Sequence, residues 1–258
     1  MTASSGDLTI PFLWIGTLCL VLSEKIISVN AGHWDYAHAT FYGDEKGVGT
    51  MDGACGYGDL FTQGYELATT ALSTALFNDG STCGACFEII CVDDPRWCIK
   101  GGGSITVTAT NFCPPNYSKQ YDNWCNPPLK HFDLTRPMFQ KIAYSVAGII
   151  PVRYRRASCT KRGGVKFEVG GNPSFLTVLV YNVGGAGAVI GVNIKGYKTD
   201  WIKMQRNWGQ IWQTGANLVG RSLSFQVALS DGNWLQFNRV TDANWQFGRT
   251  YDGNINFR

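Results

Sequence analysis

The clearest signal of the fold is the stretch Cys83-Gly-Ala-Cys-Phe-Glu-Ile-Ile-Cys91, where a β-rich run is bounded by turn residues and cysteines. The Cys-x-x-Cys unit at its start could form part of a zinc site, but such a site needs a second matched pair of ligands. Cysteines at this density in a secreted chain are more typical of disulfides. We therefore predict a disulfide-stapled β-domain around this stretch, with no metal ion and no cofactor.

The amino-terminal segment has the pattern of a secretory signal peptide. Leu8 to Leu22 is an uncharged apolar run, shorter than the roughly 20 residues that cross a bilayer, and small residues precede a cleavage position after Ala31. We predict a signal peptide over residues 1–31 and a secreted protein, with a membrane anchor as the alternative. Removing the leader takes Cys19 with it and changes an odd set of 9 cysteines into an even set.

The remaining cysteines divide the chain, because all of them lie before residue 160: Cys55, Cys83, Cys86, Cys91, Cys98, Cys113, Cys125 and Cys159. We predict a first domain over residues 32–160, a basic glycine-ended linker over 161–163 and a second domain over 164–258. The number of possible pairings is about 105, and spacing alone does not choose among them.

Composition limits the class of protein. Only 16% of the residues are charged and 31 are glycine, whereas a typical soluble protein is about 25% charged. These values disfavour a disordered chain and a helical bundle. The formal net charge of +3 is too small to indicate a nucleic-acid partner.

Short strands dominate the predicted secondary structure. Candidate strands are Cys86–Cys91 and Ser104–Ala109 in the first domain, and Val165–Val169, Phe175–Val180, Val189–Ile194 and Leu223–Val227 in the second. Helix is predicted over Tyr65–Leu76, with Thr135–Val146 as a second candidate. The predicted architecture is all-β, with a disulfide-rich barrel followed by a small sandwich.

Several short motifs rich in glycine, cysteine and aromatic residues occur in this order along the chain: Ala39-Thr-Phe-Tyr-Gly43, Gly53-Ala-Cys-Gly-Tyr-Gly58, Cys83-Gly-Ala-Cys-Phe-Glu88, Asn111-Phe-Cys-Pro-Pro115, Trp124-Cys-Asn-Pro127, His131-Phe-Asp133 and Arg206-Asn-Trp-Gly209. Together they resemble the plant α-expansins. The resemblance continues through Asn244-Trp-Gln-Phe-Gly248. It implies a six-stranded double-psi β-barrel similar to family-45 endoglucanases, then an immunoglobulin-like, carbohydrate-binding β-sandwich. It also implies the disulfides Cys55–Cys83, Cys86–Cys159, Cys91–Cys98 and Cys113–Cys125.

The resemblance implies a secreted, extracellular protein that loosens the cell wall without hydrolysis, acts best at acidic pH and is a monomer. Its expected partners are cellulose and xyloglucan-like wall polysaccharides. Thr40, Tyr42 and Asp133 are the candidate groove residues, and Asp133 matches the general acid of the related endoglucanases. An unperturbed aspartate titrates near about 3.9, so a pH-dependent role for Asp133 requires that the groove raise its pKa.

The alternative function is an inverting endo-β-1,4-glucanase. Such an enzyme needs a second carboxylate about 6.5–9.5 Å from the acid, so the alternative depends on whether the sequence supplies one. Asp44 follows Thr40 by four residues, a spacing like that of the endoglucanase base. Asp44 also lies in a polar, glycine-rich loop, where a solvated charge is the ordinary outcome. We therefore predict that Asp44 does not serve as a base.

Flat aromatic rings are the expected contacts for sugars in the second domain. The resemblance assigns stacking roles to Phe175 and Trp208, with Trp201 as a further candidate, whereas Trp212 and Trp245 are predicted to lie in the core. Asn116-Tyr-Ser118 is an N-glycosylation sequon in an expected exposed loop.

Overall fold

The computed structural model describes residues 32–46, 52–119 and 123–258, together with Met1. The rest of the predicted signal peptide over 1–31 lies outside the described residues. Within these ranges, no helix has the length and apolar character needed to cross a membrane.

The first domain is a closed barrel. Within the described ranges its strands are β1 Asp35–Tyr42, β2 Thr69–Leu72, β3 Cys86–Cys91, β4 Ile105–Phe112, β5 His131–Thr135 and β6 Ile150–Ala157. They close in the order β1-β5-β2-β4-β3-β6. The pairs β1–β5 and β2–β4 are parallel, and the other neighbours are antiparallel.

Aromatic side chains fill the barrel because its strands point alternate residues inward. Phe132 is fully buried, with its ring centroid 5.2 Å from that of Phe87 and 4.9 Å from that of Tyr154, both in edge-to-face geometry. These contacts hold β5 at the centre of the domain. His131 and Asp133, which flank Phe132, consequently lie on the opposite face of the strand.

The helix predicted over Tyr65–Leu76 is wrong. This segment forms β2, whose residues are all buried, followed by α1, a single helical turn over Thr74–Phe77. β2 lies between β4 and β5 in the sheet, and the side chains on both of its faces are buried, so no polar alternation marks it as a strand. Of the second candidate helix, only α2 at Arg136–Phe139 and a 3₁₀ turn at Ser145–Ala147 form.

The second domain is a sandwich of two sheets. The described strands are β7 Lys166–Asn172, β8 Phe175–Tyr181, β9 Val189–Gly196, β10 Ile202–Lys203, β11 Gln205–Trp208, β12 Ile211–Thr214, β13 Leu223–Leu229, β14 Trp234–Phe237 and β15 Arg249–Asp252. One sheet has the order β10-β9-β13-β14, and the other β11-β12-β8-β7-β15. Between them Phe167 stacks on Phe225 at 4.3 Å. The predicted class, all-β with a six-stranded barrel followed by a β-sandwich, is confirmed.

The described part of the chain contains four disulfides, which join the same residues that the resemblance implied: Cys55–Cys83, Cys86–Cys159, Cys91–Cys98 and Cys113–Cys125. The bond between Cys86 and Cys159 spans 73 residues and ties β3 to the segment that follows the last barrel strand. The Cys159 backbone also exchanges two hydrogen bonds with Gly185, at 2.7 and 3.1 Å. The end of the barrel is thereby fixed to the sandwich.

Glycines bring the two domains into close contact. Gly84, at φ +84°, faces Gly187, and a Cβ added to Gly84 would lie 2.6 Å from the Gly187 carbonyl oxygen. A Cβ on Gly209 would lie 2.5 Å from the Cys55 carbonyl carbon. Only residues without side chains allow the two backbones to approach this closely.

The predicted linker over 161–163 is packed against the barrel. The Lys161 Nζ lies 4.2 Å from the centre of the Tyr65 ring, and burial lowers the pKa of Lys161 to about 8. Beside it, the Asn182 side-chain amide donates to the Arg162 and Gly164 carbonyls.

Candidate functional site

Parallel pairing of β1 and β5 brings the barrel candidates together. Thr40 is opposite Asp133 in the register, and His38 is opposite His131. The Thr40 hydroxyl donates to Asp133 Oδ1 at 2.7 Å and lies 2.8 Å from His131 Nε2. Because the hydroxyl proton is directed to Asp133, the His131 Nε2–H donates to Thr40. The three side chains thus form a relay that orients the carboxyl group.

Burial sets the protonation states in this relay. Burial lowers the pKa of His131 to about 4, and the neighbouring His38 acts in the same direction. Burial raises the pKa of Asp133, although the hydrogen bond from Thr40 partly offsets the rise. Burial and the charge of Asp133 raise the pKa of Tyr42 to about 12. His131 is therefore neutral above about pH 4 and Tyr42 is neutral below about pH 12, whereas Asp133 keeps its proton to higher pH than a free aspartate.

Asp44 occupies a different environment from Asp133. Its side chain is exposed, and its Oδ1 accepts a hydrogen bond of 2.9 Å from the Lys46 backbone amide. The adjacent Glu45 is also engaged, since its Oε1 accepts from Gln140 at 2.9 Å and lies 3.3 Å from the Arg136 Nε. The carboxylates of Asp44 and Glu45 thus interact with Lys46, Gln140 and Arg136.

Two of the predicted aromatic contacts share one surface. Phe175 and Trp208 are 43% and 49% exposed and lie on the outer face of the five-stranded sheet. Thr177 and Gln213, which pair with each other, lie between them. The strand spacings put the two positions about 16 Å apart, which would span several sugar rings.

The third aromatic candidate lies elsewhere. Trp201 is half-buried and immediately precedes β10, in the four-stranded sheet. The Lys195 Nζ lies 5.7 Å from its ring centroid. Sequence reasoning did not predict this separation, because Trp201 and Trp208 are only seven residues apart.

The barrel contacts fix the position of Trp208. The Gln210 backbone N–H donates to the Cys55 carbonyl at 2.9 Å, and its side-chain amide donates to the Cys83 carbonyl at 2.8 Å. Gln210 is fully buried, and Trp208 packs over Gly56 of the barrel. Sequence reasoning missed both His131 and Gln210, although His131 lies inside a quoted motif and Gln210 directly follows one.

The two tryptophans predicted to lie in the core do so. Trp212 is 4% exposed and Trp245 is 7% exposed. Trp234, which sequence reasoning did not single out, is 61% exposed. In the predicted sequon, Asn116 is exposed and its Oδ1 accepts from the Ser118 backbone amide at 3.1 Å.

Comparison with known proteins agrees with both domains. A family model described as the expansin C-terminal domain matches residues 165–242, and one described as lytic transglycolase, of the DPBB_1 type, matches residues 69–154. Expansin-A23 of Arabidopsis thaliana is 60% identical over 91% of this chain and 85% of its own. Expansin-A25 of the same plant is 62% identical over 87% and 80%. Expansin-A32 of Oryza sativa subsp. japonica is 51% identical over 88% and 86%.

Among solved structures, the apo expansin of Clavibacter michiganensis superposes with a TM-score of 0.65 at 17% identity, covering 85% of this chain and 96% of its own. A D78N variant of that expansin in complex with cellohexaose gives a TM-score of 0.63 at 16% identity, with the same coverage. This likeness concerns the fold. The fold and the sequence relatives together define an expansin-type protein, which consists of a β-barrel domain followed by a β-sandwich domain. The chain belongs to the expansin family, and its relatives named above carry expansin-A names.

Proposed function

We propose that this protein is a secreted, non-hydrolytic loosening protein of the plant cell wall, favoured at acidic pH. It would bind cellulose and xyloglucan-like chains and disrupt the non-covalent contacts between them. Family membership supports the loosening activity, and the cellohexaose complex of the bacterial expansin supports a glucan as the bound chain. The observation that carries the proposal is the oriented, partly buried Asp133 in the barrel.

The chemistry at Asp133 suits hydrogen-bond exchange. A protonated carboxyl can donate one hydrogen bond and accept others, as a sugar hydroxyl does. Thr40 fixes one of its oxygens, so the other is the group offered to a glucan. Because burial raises the pKa of Asp133, its neutral form persists to higher pH than that of a free aspartate.

The environment of Asp44 supports the non-hydrolytic form of the proposal. Inversion needs a base that reaches the water attacking the sugar. Asp44 is exposed and accepts from Lys46 within its own turn. The pKa of Asp133 rises through burial, opposed by Thr40, and not through a described neighbouring carboxylate.

The deciding experiment measures two quantities on the same samples: extension of heat-killed wall strips under load, and new reducing ends from soluble β-1,4-glucan. We expect extension without new reducing ends. Release of reducing ends that Asp44→Asn abolishes would instead establish the glucanase.

A second experiment tests Asp133. In Asp133→Asn the side chain is neutral at every pH, so the ratio of extension at pH 4.5 to that at pH 7 should fall towards one. Asp133→Ala should lose extension at both pH values, and Asp44→Asn should match the parent. An unchanged pH ratio in Asp133→Asn would refute the role of Asp133.

A third experiment tests the aromatic surface. Trp208→Ala and Phe175→Ala should each weaken binding to cellulose by about 5- to 30-fold, since a stacked ring contributes on the order of 1–2 kcal/mol. Tyr144→Ala, an exposed aromatic of the barrel, is the matched control. Parental binding by Trp208→Ala would show that this face is not the contact.

We also propose that Asn116 is glycosylated, which the mass shift after enzymatic deglycosylation of the secreted protein would test.

A further inference from the structure

The outer face of the four-stranded sheet carries a continuous row of side-chain amides. Asn193 Nδ2 donates to Gln226 Oε1 at 3.0 Å, and Gln226 Nε2 donates to Gln236 Oε1 at 3.0 Å. Gln236 Nε2 then donates to Asn238 Oδ1 at 2.7 Å. The first three residues are directly opposite one another on β9, β13 and β14. We call these four residues the amide row.

A shallow trough runs beside the amide row, one row further along the strands. Its floor consists of Ala228 and Gly191, which pair with each other, and Trp234 pairs with Ala228 on the other side. Trp234 is 61% exposed, and Ile190, next to Gly191, is 52% exposed. The trough therefore has a floor of minimal side chains between two exposed apolar ones.

The space directly above Gly191 is open. Apart from its own two chain neighbours, a Cβ added there would have only the Ala228 Cβ within 4 Å, at 3.6 Å, which is an ordinary contact. From Trp234 on β14, across Ala228 on β13, to Gly191 on β9, the trough is about 10 Å long. This length accommodates about two pyranose rings.

The hydrogen-bonding capacity of the amide row matches sugar hydroxyls. A side-chain amide has two N–H donors and two acceptor lone pairs on its oxygen. In the row, Gln226 and Gln236 each use one donor and one acceptor on their neighbours. Each keeps a donor and an acceptor for a ligand, in an orientation that its neighbours already fix. Hydroxyl groups both donate and accept, so they complement this arrangement.

We propose that the trough and the amide row form a second binding site for an uncharged, β-linked polysaccharide. A sugar face would stack on Trp234 over the floor of Ala228 and Gly191, and its hydroxyls would bond to Gln226 and Gln236. This site lies on the sheet opposite to Phe175 and Trp208. One protein could then hold two chains at once, one on each face of the sandwich.

The charges around the trough define the competing ligand. Lys203 is opposite Asn193 and lies at the end of the row that is remote from Trp234, and Lys195, opposite Ser224, lies on the side of the row away from the trough. An acidic polysaccharide would be attracted to these lysines. The amides and Trp234 themselves carry no charge, which favours a neutral chain.

The test uses the full secreted protein with Phe175→Ala and Trp208→Ala, so that the first face no longer contributes. Cellohexaose is titrated into this background, and the indole N–H signal of Trp234 is followed by NMR together with the heat of binding. We expect the signal to shift with saturation. Adding Trp234→Ala or Gly191→Gln should weaken the remaining affinity at least 5-fold.

Gly191→Gln separates binding from stability. Gly191 does not have a positive φ and its Cβ site is open, so the new side chain should leave the unfolding midpoint unchanged or higher while it fills the trough. Tyr197→Ala, at the other end of the same sheet, is the control and should bind like its background. Unchanged affinity in Trp234→Ala and Gly191→Gln would overturn the proposal. So would absence of cellohexaose binding in the background, or stronger, salt-sensitive binding of polygalacturonate that depends on Lys195 and Lys203. None of these outcomes bears on wall extension, which tests the proposed function separately.

Discussion

His131 should make the barrel sensitive to acid, and this effect can be isolated by substitution. His131 is 1% exposed, and its burial, reinforced by the charge of the nearby His38, makes the folded state favour the neutral ring. Its pKa is about 4 when folded, against an ordinary value of 6.5. Protonation therefore favours the unfolded chain. The stability that His131 confers is complete above about pH 6.5 and decreases as the pH falls towards 4.

These pKa values give the size of the effect. Between pH 7 and pH 4.5, the difference in proton binding at His131 removes about 2 kcal/mol from the free energy of unfolding. His131→Gln cannot take up this proton, and its side-chain amide can still donate to Thr40. We expect the parent to lose about 2 kcal/mol more than His131→Gln over the same pH interval.

The assay is guanidinium unfolding of the oxidised protein at pH 7.0 and 4.5, followed by tryptophan fluorescence, with equal denaturant slopes required for comparison. His33→Gln, a substitution at an exposed histidine, is the control and should behave as the parent. Asp133 changes the free energy of unfolding in the opposite direction. Its pKa is raised in the folded state, so its protonation stabilises the folded state as the pH falls. If the parent and His131→Gln lose the same free energy within about 0.5 kcal/mol, the buried neutral imidazole is refuted.

Three further predictions concern the domain contact and the disulfides. Gly84→Ala should destabilise by about 3 kcal/mol or more, because its Cβ would meet the Gly187 carbonyl. Gly101→Ala, also at positive φ but with open space around it, should cost only about 1–2 kcal/mol in thermal unfolding. Gln210→Ala should lower stability by about 2–3 kcal/mol, since it leaves the Cys83 carbonyl without its donor; a loss no greater than that of Gln213→Ala would contradict this. Replacing both Cys86 and Cys159 by alanine should cost about 4 kcal/mol, against about 2 kcal/mol for the 7-residue Cys91–Cys98 loop, and equal losses in denaturant unfolding would count against loop closure as the cause.

Part of the fold could be predicted from the sequence, because alternation and turn residues mark β3, β4, β7, β8, β9 and β13. β3 forms at the predicted bounds, and the bounds of the others differ from the prediction by a few residues at most. β2 could not be predicted, since a strand buried on both faces shows no period of two and its alanines and leucines also suit a helix. Its identity depends on β4 and β5, which are remote in sequence.

The candidate site was only partly predictable for a similar reason. A motif can show that Thr40 and Asp133 matter, but their contact requires the parallel register of β1 and β5. The amide row and the trough carry no motif at all. Asn193, Gln226 and Gln236 are ordinary outward-facing polar residues in the sequence, and only cross-strand pairing aligns them.

The outer face of the five-stranded sheet packs against the barrel at one end and is exposed to solvent at the other. Leu179 and Tyr181 at one end are buried against the barrel, while Phe175 at the other end is exposed. Trp208 lies two residues before Gln210, whose amide groups are fixed to the barrel. Under the proposed function, a glucan that contacts both Asp133 and Trp208 meets groups whose separation is set by buried contacts. The buried contacts between the domains oppose their movement, so the free energy of binding acts on the glucan itself. A polysaccharide chain must then leave its neighbours to fit the protein, which is the physical requirement for separating chains without cutting them.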